Sequence, residues 1–302
     1  MSDPRWDQRR AAAPIVLAVP ELRPMREADV AAVHELSRAT FTNLAQRFHE
    51  PPAPPADAAT AHVRLRHILA TDPGGVWVAE DDDGGLGGAA LAIVREGVWG
   101  LSLLVVRPDL QSRGVGSALM RRALDHGEAA RGWIILASRD PRALRAYARA
   151  GFALHPTVFA TGTPDGVTAS PEVRPFVPGD HAMAAAVDRA VRGAAHGADL
   201  DALATSGCEL LAFPDRGYAV HSNGTVKTLA AFDDAAAAAL LRTVLAGIAD
   251  GGEAEVEWMT SIQQWAIDVA VAARLELHPG GGVFLRGETG AFRPYLPGGA
   301  YL

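Results

Sequence analysis

The sequence predicts an α/β fold, an α+β mixed sheet, built as two tandem copies of one unit within 302 residues. Three observations carry that expectation. Apolar runs of strand length alternate with alanine-rich helical stretches. Short motifs recur in the same order in the two halves of the chain. One apolar strand leads into a glycine-containing loop that opens a helix. The first repeat is Glu21-Leu22-Arg23-Pro24 followed by Asp29, which returns as Glu172-Val173-Arg174-Pro175 followed by Asp180. Ala118-Leu119-Met120-Arg121 matches Ala239-Leu240-Leu241-Arg242, and Ala150 through Pro156 aligns without gaps on Ala273 through Pro279. The turn-rich stretch from Gly162 to Pro171 joins the copies. The expected organisation is a leader over 1–20, a first unit over 21–162, a linker over 163–171 and a second unit over 172–302.

In the first unit, 21–25 reads as a strand, and helical periodicity covers 27–48 and 58–70. Pro51-Pro52-Ala53-Pro54-Pro55 forbids one continuous helix. Strands follow at 76–80, 85–95 and 98–106, the last two joined by a tight Glu96-Gly97 turn. A helix over 114–127, a buried strand over 133–138, a helix over 141–150 and a final strand over 152–161 complete the unit. Pro141 suits the first turn of its helix and Gly151 its end.

Composition narrows the function. Hydrophobic residues make up 49% and charged residues 21%, the balance of a soluble globular protein. The single cysteine, Cys208, excludes an internal disulfide framework and a cysteine-rich metal site, and suits a cytoplasmic location. No metal is expected. Lys and Arg number 28 against 35 Asp and Glu, a net charge of −7. That balance argues against nucleic acid as a partner and is compatible with a small cationic one. No stretch approaches the ~20 apolar residues of a membrane span. The apolar run from Ala11 to Pro20 is a poor signal peptide, because Asp3 and Asp7 sit in its basic part and Pro14 and Pro20 break it. A homodimer is compatible with everything read so far.

The segment most informative about chemistry is Leu103 to Met120, LLVVRPDLQSRGVGSALM. An apolar strand ends at Pro108, and a loop with Gln111, Arg113, Gly114 and Gly116 opens a helix. Glycines let a diphosphate approach backbone N–H groups, and the helix start adds unpaired donors and the positive end of its dipole. Ser117 offers a hydroxyl to the same phosphates, and Arg113 a charge. The two common nucleotide fingerprints, GxxxxGK[ST] and GxGxxG with a following acid, are absent.

These residues resemble the signature of the GNAT superfamily of acetyl-CoA-dependent N-acetyltransferases: V-x-P at a strand end, then Q/R-x-x-G-x-G/A at a helix start. Here they read Val106-Arg107-Pro108 and Gln111-Ser112-Arg113-Gly114-Val115-Gly116. The second signature, Asn and then a helix ending Tyr-x-x-x-Gly-Phe, appears as Asp140 followed by Tyr147-Ala148-Arg149-Ala150-Gly151-Phe152, with Asp in place of Asn. The resemblance implies a first unit that moves acetyl from acetyl-CoA to a primary amine of a small acceptor, by direct attack in a ternary complex. It implies that Leu104, Val105 and Val106 offer backbone groups to the pantetheine arm, with Asp140 at a second contact. Gln111, Ser112, Arg113, Gly114, Val115, Gly116 and Ser117 would hold the pyrophosphate, and Tyr147 would protonate the departing thiolate.

The base is less marked, since Gly100 stands where histone-type relatives carry Glu. Glu96 is the first choice; Glu80, a water chain, His34, His49 and His155 are alternatives. The tandem "enhanced intracellular survival" acetyltransferases, in which a chain-terminal carboxylate serves, would point to Leu302. The second unit resembles a degenerate copy. Eleven residues separate Val106 from Ala118, but only seven, FDDAAAA, separate Ala231 from Ala239. No glycine remains there, Asp233 and Asp234 would repel phosphate, Ala270 replaces the Tyr, and Arg274-Leu275 replace Gly-Phe. Trp258, Trp265, Gln263 and Gln264 read as core or as acceptor-pocket residues, and the apolar tail 292–302 is expected to dock. A mycothiol-synthase-like enzyme would need loaded motifs in the second copy. A non-catalytic acyl-CoA sensor or scaffold is the alternative reading.

Overall fold

The computed structural model describes residues 20–49, 58–81, 83–249 and 251–302. The expected leader, apart from Pro20, and the 51–55 proline run lie outside the described residues. The first half contains β1 (Glu21–Pro24), α1 (Val30–Arg47), α2 (Ala58–Thr71), β2 (Val76–Glu80), β3 (Leu86–Arg95) and β4 (Val98–Val106). It continues with α3 (Val115–His126), β5 (Gly132–Ala137), α4 (Pro141–Arg149) and β6 (Ala153–Gly162). The second half contains β7 (Arg174–Pro175), α5 (His181–Val191), α6 (Ala198–Thr205), β8 (Glu209–Phe213), β9 (Gly217–Ser222) and β10 (Thr225–Ala231). It ends with α7 (Asp234–Ala246), β11 (Ala254–Met259), α8 (Gln264–Ala272), β12 (Glu276–Gly287) and β13 (Tyr295–Leu296).

The Arg-Pro…Asp repeat has a structural cause. The Asp29 carboxylate accepts from Arg23 Nη1 and Nη2 at 2.7 and 2.8 Å and from the Arg26 N–H at 2.7 Å, pinning the strand end to the helix start. Asp180 does the same with Arg174, at 2.7 and 2.8 Å, and with the Val177 N–H at 2.8 Å.

The two halves share one sheet of 13 strands, ordered β1-β2-β3-β4-β5-β12-β6-β11-β10-β9-β8-β7, with β13 added on β10. Each half sends its last long strand into the other. β12 lies between β5 and β6, antiparallel to both, and β6 lies between β12 and β11. The central pair is nearly symmetric, running from Glu276↔Thr161 to Leu285↔Ala153. One face of the sheet carries α1, α2, α5, α6 and the tail over a core with Val33, Ile68, Val187, Leu200 and Leu302. The other carries α3 and α4 over Trp99, Leu119 and Phe284, and α7 and α8 over Leu240, Val244 and Ala266.

Charged groups also tie the halves together. Buried Asp199 of α6 accepts from Arg95 Nε and Nη2, both at 2.8 Å, and pairs with His67 Nε2 at 2.7 Å. Arg95 Nη1 also meets Asp72, at 2.7 Å. The tail docks as expected, with Phe292, Tyr295, Leu296, Tyr301 and Leu302 all buried. Among the described residues no helix is long and apolar enough to cross a membrane.

Candidate acyl-CoA site

Strands β4 and β5 run parallel from Val98↔Gly132 to Leu101↔Ile135 and then part. The cause is a bulge. The β3–β4 register passes from Ala92↔Leu101 to Leu91↔Leu103, leaving Ser102 unpaired and bending β4 away from β5. Residues 102–106 therefore present a strand edge, which includes Leu104, Val105 and Val106.

The chain leaves β4 through a short 3₁₀ turn, Pro108–Leu110, and reaches α3 with Ser112 at φ 64° and Gly114 at φ 90°. A Cβ on Gly114 would meet nothing within 4 Å, so this left-handed position is open on its outer side. The first hydrogen bond of α3 runs from the Ala118 N–H to the Gly114 carbonyl at 2.9 Å. Residues 111–114 form turns, and among the described residues the amides of Ser112, Arg113, Gly114, Val115, Gly116 and Ser117 make no backbone hydrogen bond of normal geometry. They form a set of donors at the positive end of a helix. Gly116 packs on the strand end, where its Cβ would stand 3.4 Å from Val106 Cγ2.

Gln111 braces this loop. Its Nε2 donates to the Val106 carbonyl at 2.9 Å, and its Oε1 accepts from Arg142 Nη1. Asp140 caps α4 by accepting the Arg142 N–H at 2.9 Å, and takes Arg142 Nε at 3.0 Å. Burial works to raise the Asp140 carboxyl's pKa, but the Arg142 hydrogen bonds outweigh it and hold it below the usual carboxylate range. The Asp140 carboxylate is thus engaged by its own helix. Arg142, which sequence reasoning passed over, links the loop to α4; its signal was an Arg two positions after a cap.

Tyr147 is buried on α4, with its ring edge-on to Phe284 at 5.4 Å. Burial first, and the Asp140 charge second, raise its pKa above that of an ordinary phenol, so it is protonated at neutral pH. Phe284 belongs to β12, so a strand of the second half shapes this part of the first.

The structure does not bring Glu96 to these residues. It sits in the β3–β4 turn, at the opposite end of β4 from the loop. Its carboxylate takes Arg189 Nη2 at 2.6 Å and the Ala195 N–H at 3.0 Å, and these partners lower its pKa, the reverse of what a base near neutrality needs. Glu80 is paired with Arg23. His34 meets His62 edge-on at 5.5 Å, His49 lies in the turn two residues past the end of α1, and His155 lies opposite Val283 in the central pair. At Gly100 a Cβ would overlap Leu302 Cδ1, so the Leu302 side chain fills the space beside this glycine. The Leu302 main-chain oxygen accepts from Arg192 Nε and from the Tyr295 hydroxyl, both at 2.6 Å.

The second half is closed where the first is open. β10 and β11 pair only at Thr225↔Glu255, and the edge of β10 beyond is taken by β13, at Leu229↔Leu296 and Ala230↔Tyr295. The α7 start is capped by Asp233, which accepts the Ala236 N–H at 2.9 Å, while Asp234 pairs with Arg293. Trp265 is core, Trp258 packs on Phe159, and Gln263 is buried, donating to the Phe292 carbonyl at 2.9 Å. Among the described residues no cluster of His, Cys, Asp and Glu could hold a metal ion.

With this geometry in hand, comparison with known proteins gives the class. Residues 32–152 match the acetyltransferase (GNAT) family. Over most of its length the chain has the fold of a Pyrococcus horikoshii protein assigned as an acetyltransferase: TM-score 0.74, 16% identity, 93% of this chain and 95% of that one. It is also similar to a tandem GNAT protein from the clavulanic acid biosynthesis pathway, with TM-score 0.58, 14% identity, 88% of this chain and 98% of that one. No curated protein matches in sequence. Residues 32–152 thus match a GNAT acetyltransferase domain, and the chain as a whole has a fold similar to that of a tandem GNAT protein. The domain match supports acyl-CoA-dependent acetyl transfer in general terms.

Proposed function

We propose that the first half transfers an acetyl group from acetyl-CoA to a primary amine of a small acceptor. The observation that carries the reading is the free N–H set of residues 112–117 at the end of a β4 edge opened by the Ser102 bulge. Acetyl-CoA suits that donor set: Gly114 leaves its phosphates room, and the 102–106 edge offers main-chain groups to its arm. When bound, it supplies an activated acetyl thioester. The protein's own contributions are positioning and proton supply. Residues 112–117 fix the phosphates, with the Arg113 charge and Ser117 hydroxyl beside them. Gln111 and Arg142 hold the loop against α4. Tyr147, kept protonated by burial, gives its proton to the sulfur as the amine displaces it. Glu96 is committed to Arg189, so the reading assigns the amine's proton to water.

The test is labelled acetyl transfer to an amine panel by wild type and Tyr147→Phe. The variant keeps the ring against Phe284, so acetyl-CoA affinity should hold while kcat falls by about 100-fold or more. Full activity in Tyr147→Phe would remove the acid assignment. Acetyl-CoA binding with no transfer to any amine would favour a non-catalytic acyl-CoA sensor.

A further inference from the structure

We propose that Arg64 and Tyr301 form an anion-binding subsite beside the β4 bulge, so that the accepted amine also carries a carboxylate, as an amino acid does. This rests on the acetyl-transfer reading and names the substrate class for the same site.

Arg64 projects from α2 onto Ser102. Its Nη2 donates to the Ser102 hydroxyl at 2.7 Å and to the Ser102 carbonyl, and reaches the Gly299 carbonyl at 3.5 Å. All three acceptors are neutral. Its Nε is buried with no hydrogen-bond partner, and among the described residues no carboxylate pairs with the guanidinium. Tyr301 stands edge-on to His67, one turn further along α2, at 5.5 Å, and its hydroxyl is likewise buried without a hydrogen-bond partner. The contrast lies nearby on the same face, where Arg95 is matched by both Asp72 and Asp199. A cation partly drawn out of water without a counter-charge is costly. The fold neutralises that cost at Arg95 and leaves it standing at Arg64. An unmatched guanidinium beside an unused N–H and an unused O–H fits a carboxylate.

The position suits an acceptor. Ser102 follows Leu101, the last β4 residue paired with β5, so the guanidinium lies where the two strands open. The tail borders it: the Ser102 hydroxyl donates to the Ala300 carbonyl at 2.6 Å, and Gly299 is open on its outer side, where a Cβ would meet nothing within 4 Å. A carboxylate held there leaves the amine of the same molecule free to reach between β4 and β5. The acceptor's own ammonium agrees with the chain's net charge of −7.

The experiment measures CoA release by the full chain with α- and ω-amino acids, each beside the amine lacking the carboxylate. The expected result is at least a tenfold advantage in kcat/KM for the amino acid, lying in KM. Arg64→Met should abolish it, Arg64→Lys restore part of it, and Tyr301→Phe reduce it several-fold. Unchanged acetyl-CoA affinity shows that each variant is folded. Amines used as well as their amino acids, or an advantage that survives Arg64→Met, overturn the proposal. If no amine is acetylated, the acetyl-transfer reading fails instead. The subsite is then read by calorimetric titration with N-acetylated amino acids: binding lost in Arg64→Met upholds it, and no binding or unchanged affinity overturns it.

Discussion

Truncating Phe284 to alanine tests whether the halves are interleaved or merely in contact. The ring is fully buried, pairs across the sheet with Ile135 and Leu154, and packs edge-on against Tyr147. Its neighbours in the cluster are Trp99, Leu119 and Tyr147, all from the first half. Removing a fully buried phenyl from such a cluster costs about 3–5 kcal/mol, in lost transfer energy and in the cavity left behind. Urea unfolding of Phe284→Ala, followed by both fluorescence and circular dichroism, reads this directly. With a slope of about 2–3 kcal/mol per molar urea, the midpoint should fall by about 1–2 M. Leu277→Ala, on the same strand but 42% exposed, is the control and should cost about 0.5 kcal/mol or less. Phe284→Ala should also lower kcat, because Tyr147 loses the wall that orients it. A loss under about 1 kcal/mol would refute the insertion of β12 between β5 and β6.

Two further predictions concern the carboxylates around Arg95. Asp199→Ala removes the carboxylate shared by Arg95 and His67 and strands a buried charge, so it should cost about 3–5 kcal/mol in the same urea assay. Asp72 sets an acid limit. Burial works to raise its pKa, but hydrogen bonds from His126, Arg95 and Thr71 outweigh it and bring the group down to about 2. Its contribution, about 2 kcal/mol, is complete above pH ~4 and is lost as pH falls towards 2. Asp72→Asn should flatten that part of the stability profile.

Much of the fold was legible because local chemistry decides it. β2 and β4 begin and end at the expected residues, and the Arg-Pro…Asp repeat marks the same strand-to-helix clamp in each half. The loop was legible too, since Gly114 takes a conformation that few other residues tolerate. The strand exchange was not. β6 and β12 would carry the same apolar pattern whether each paired within its own half or across to the other, so nothing in their residues records the partner. Glu96 was recognisable as a turn residue, but its partner Arg189 lies 93 positions further on. The closing of the second cleft by Tyr295 and Leu296 depends on β10 and β11 parting, which the tail's composition does not reveal. Its docking was legible, from a run of apolar residues that water disfavours.

The central claim is that one half presents an acyl-CoA site and the other has filled its own. Calorimetric titration of acetyl-CoA into wild type and a Gly114→Glu, Gly116→Glu double variant tests it most directly. A single site is expected in the wild type and none in the variant. There the carboxylates meet the phosphates at the mouth of α3, and Gly114 loses the freedom its φ of 90° requires. Two sites would contradict the closed second half. No binding, or binding unchanged in the variant, would contradict the claim itself.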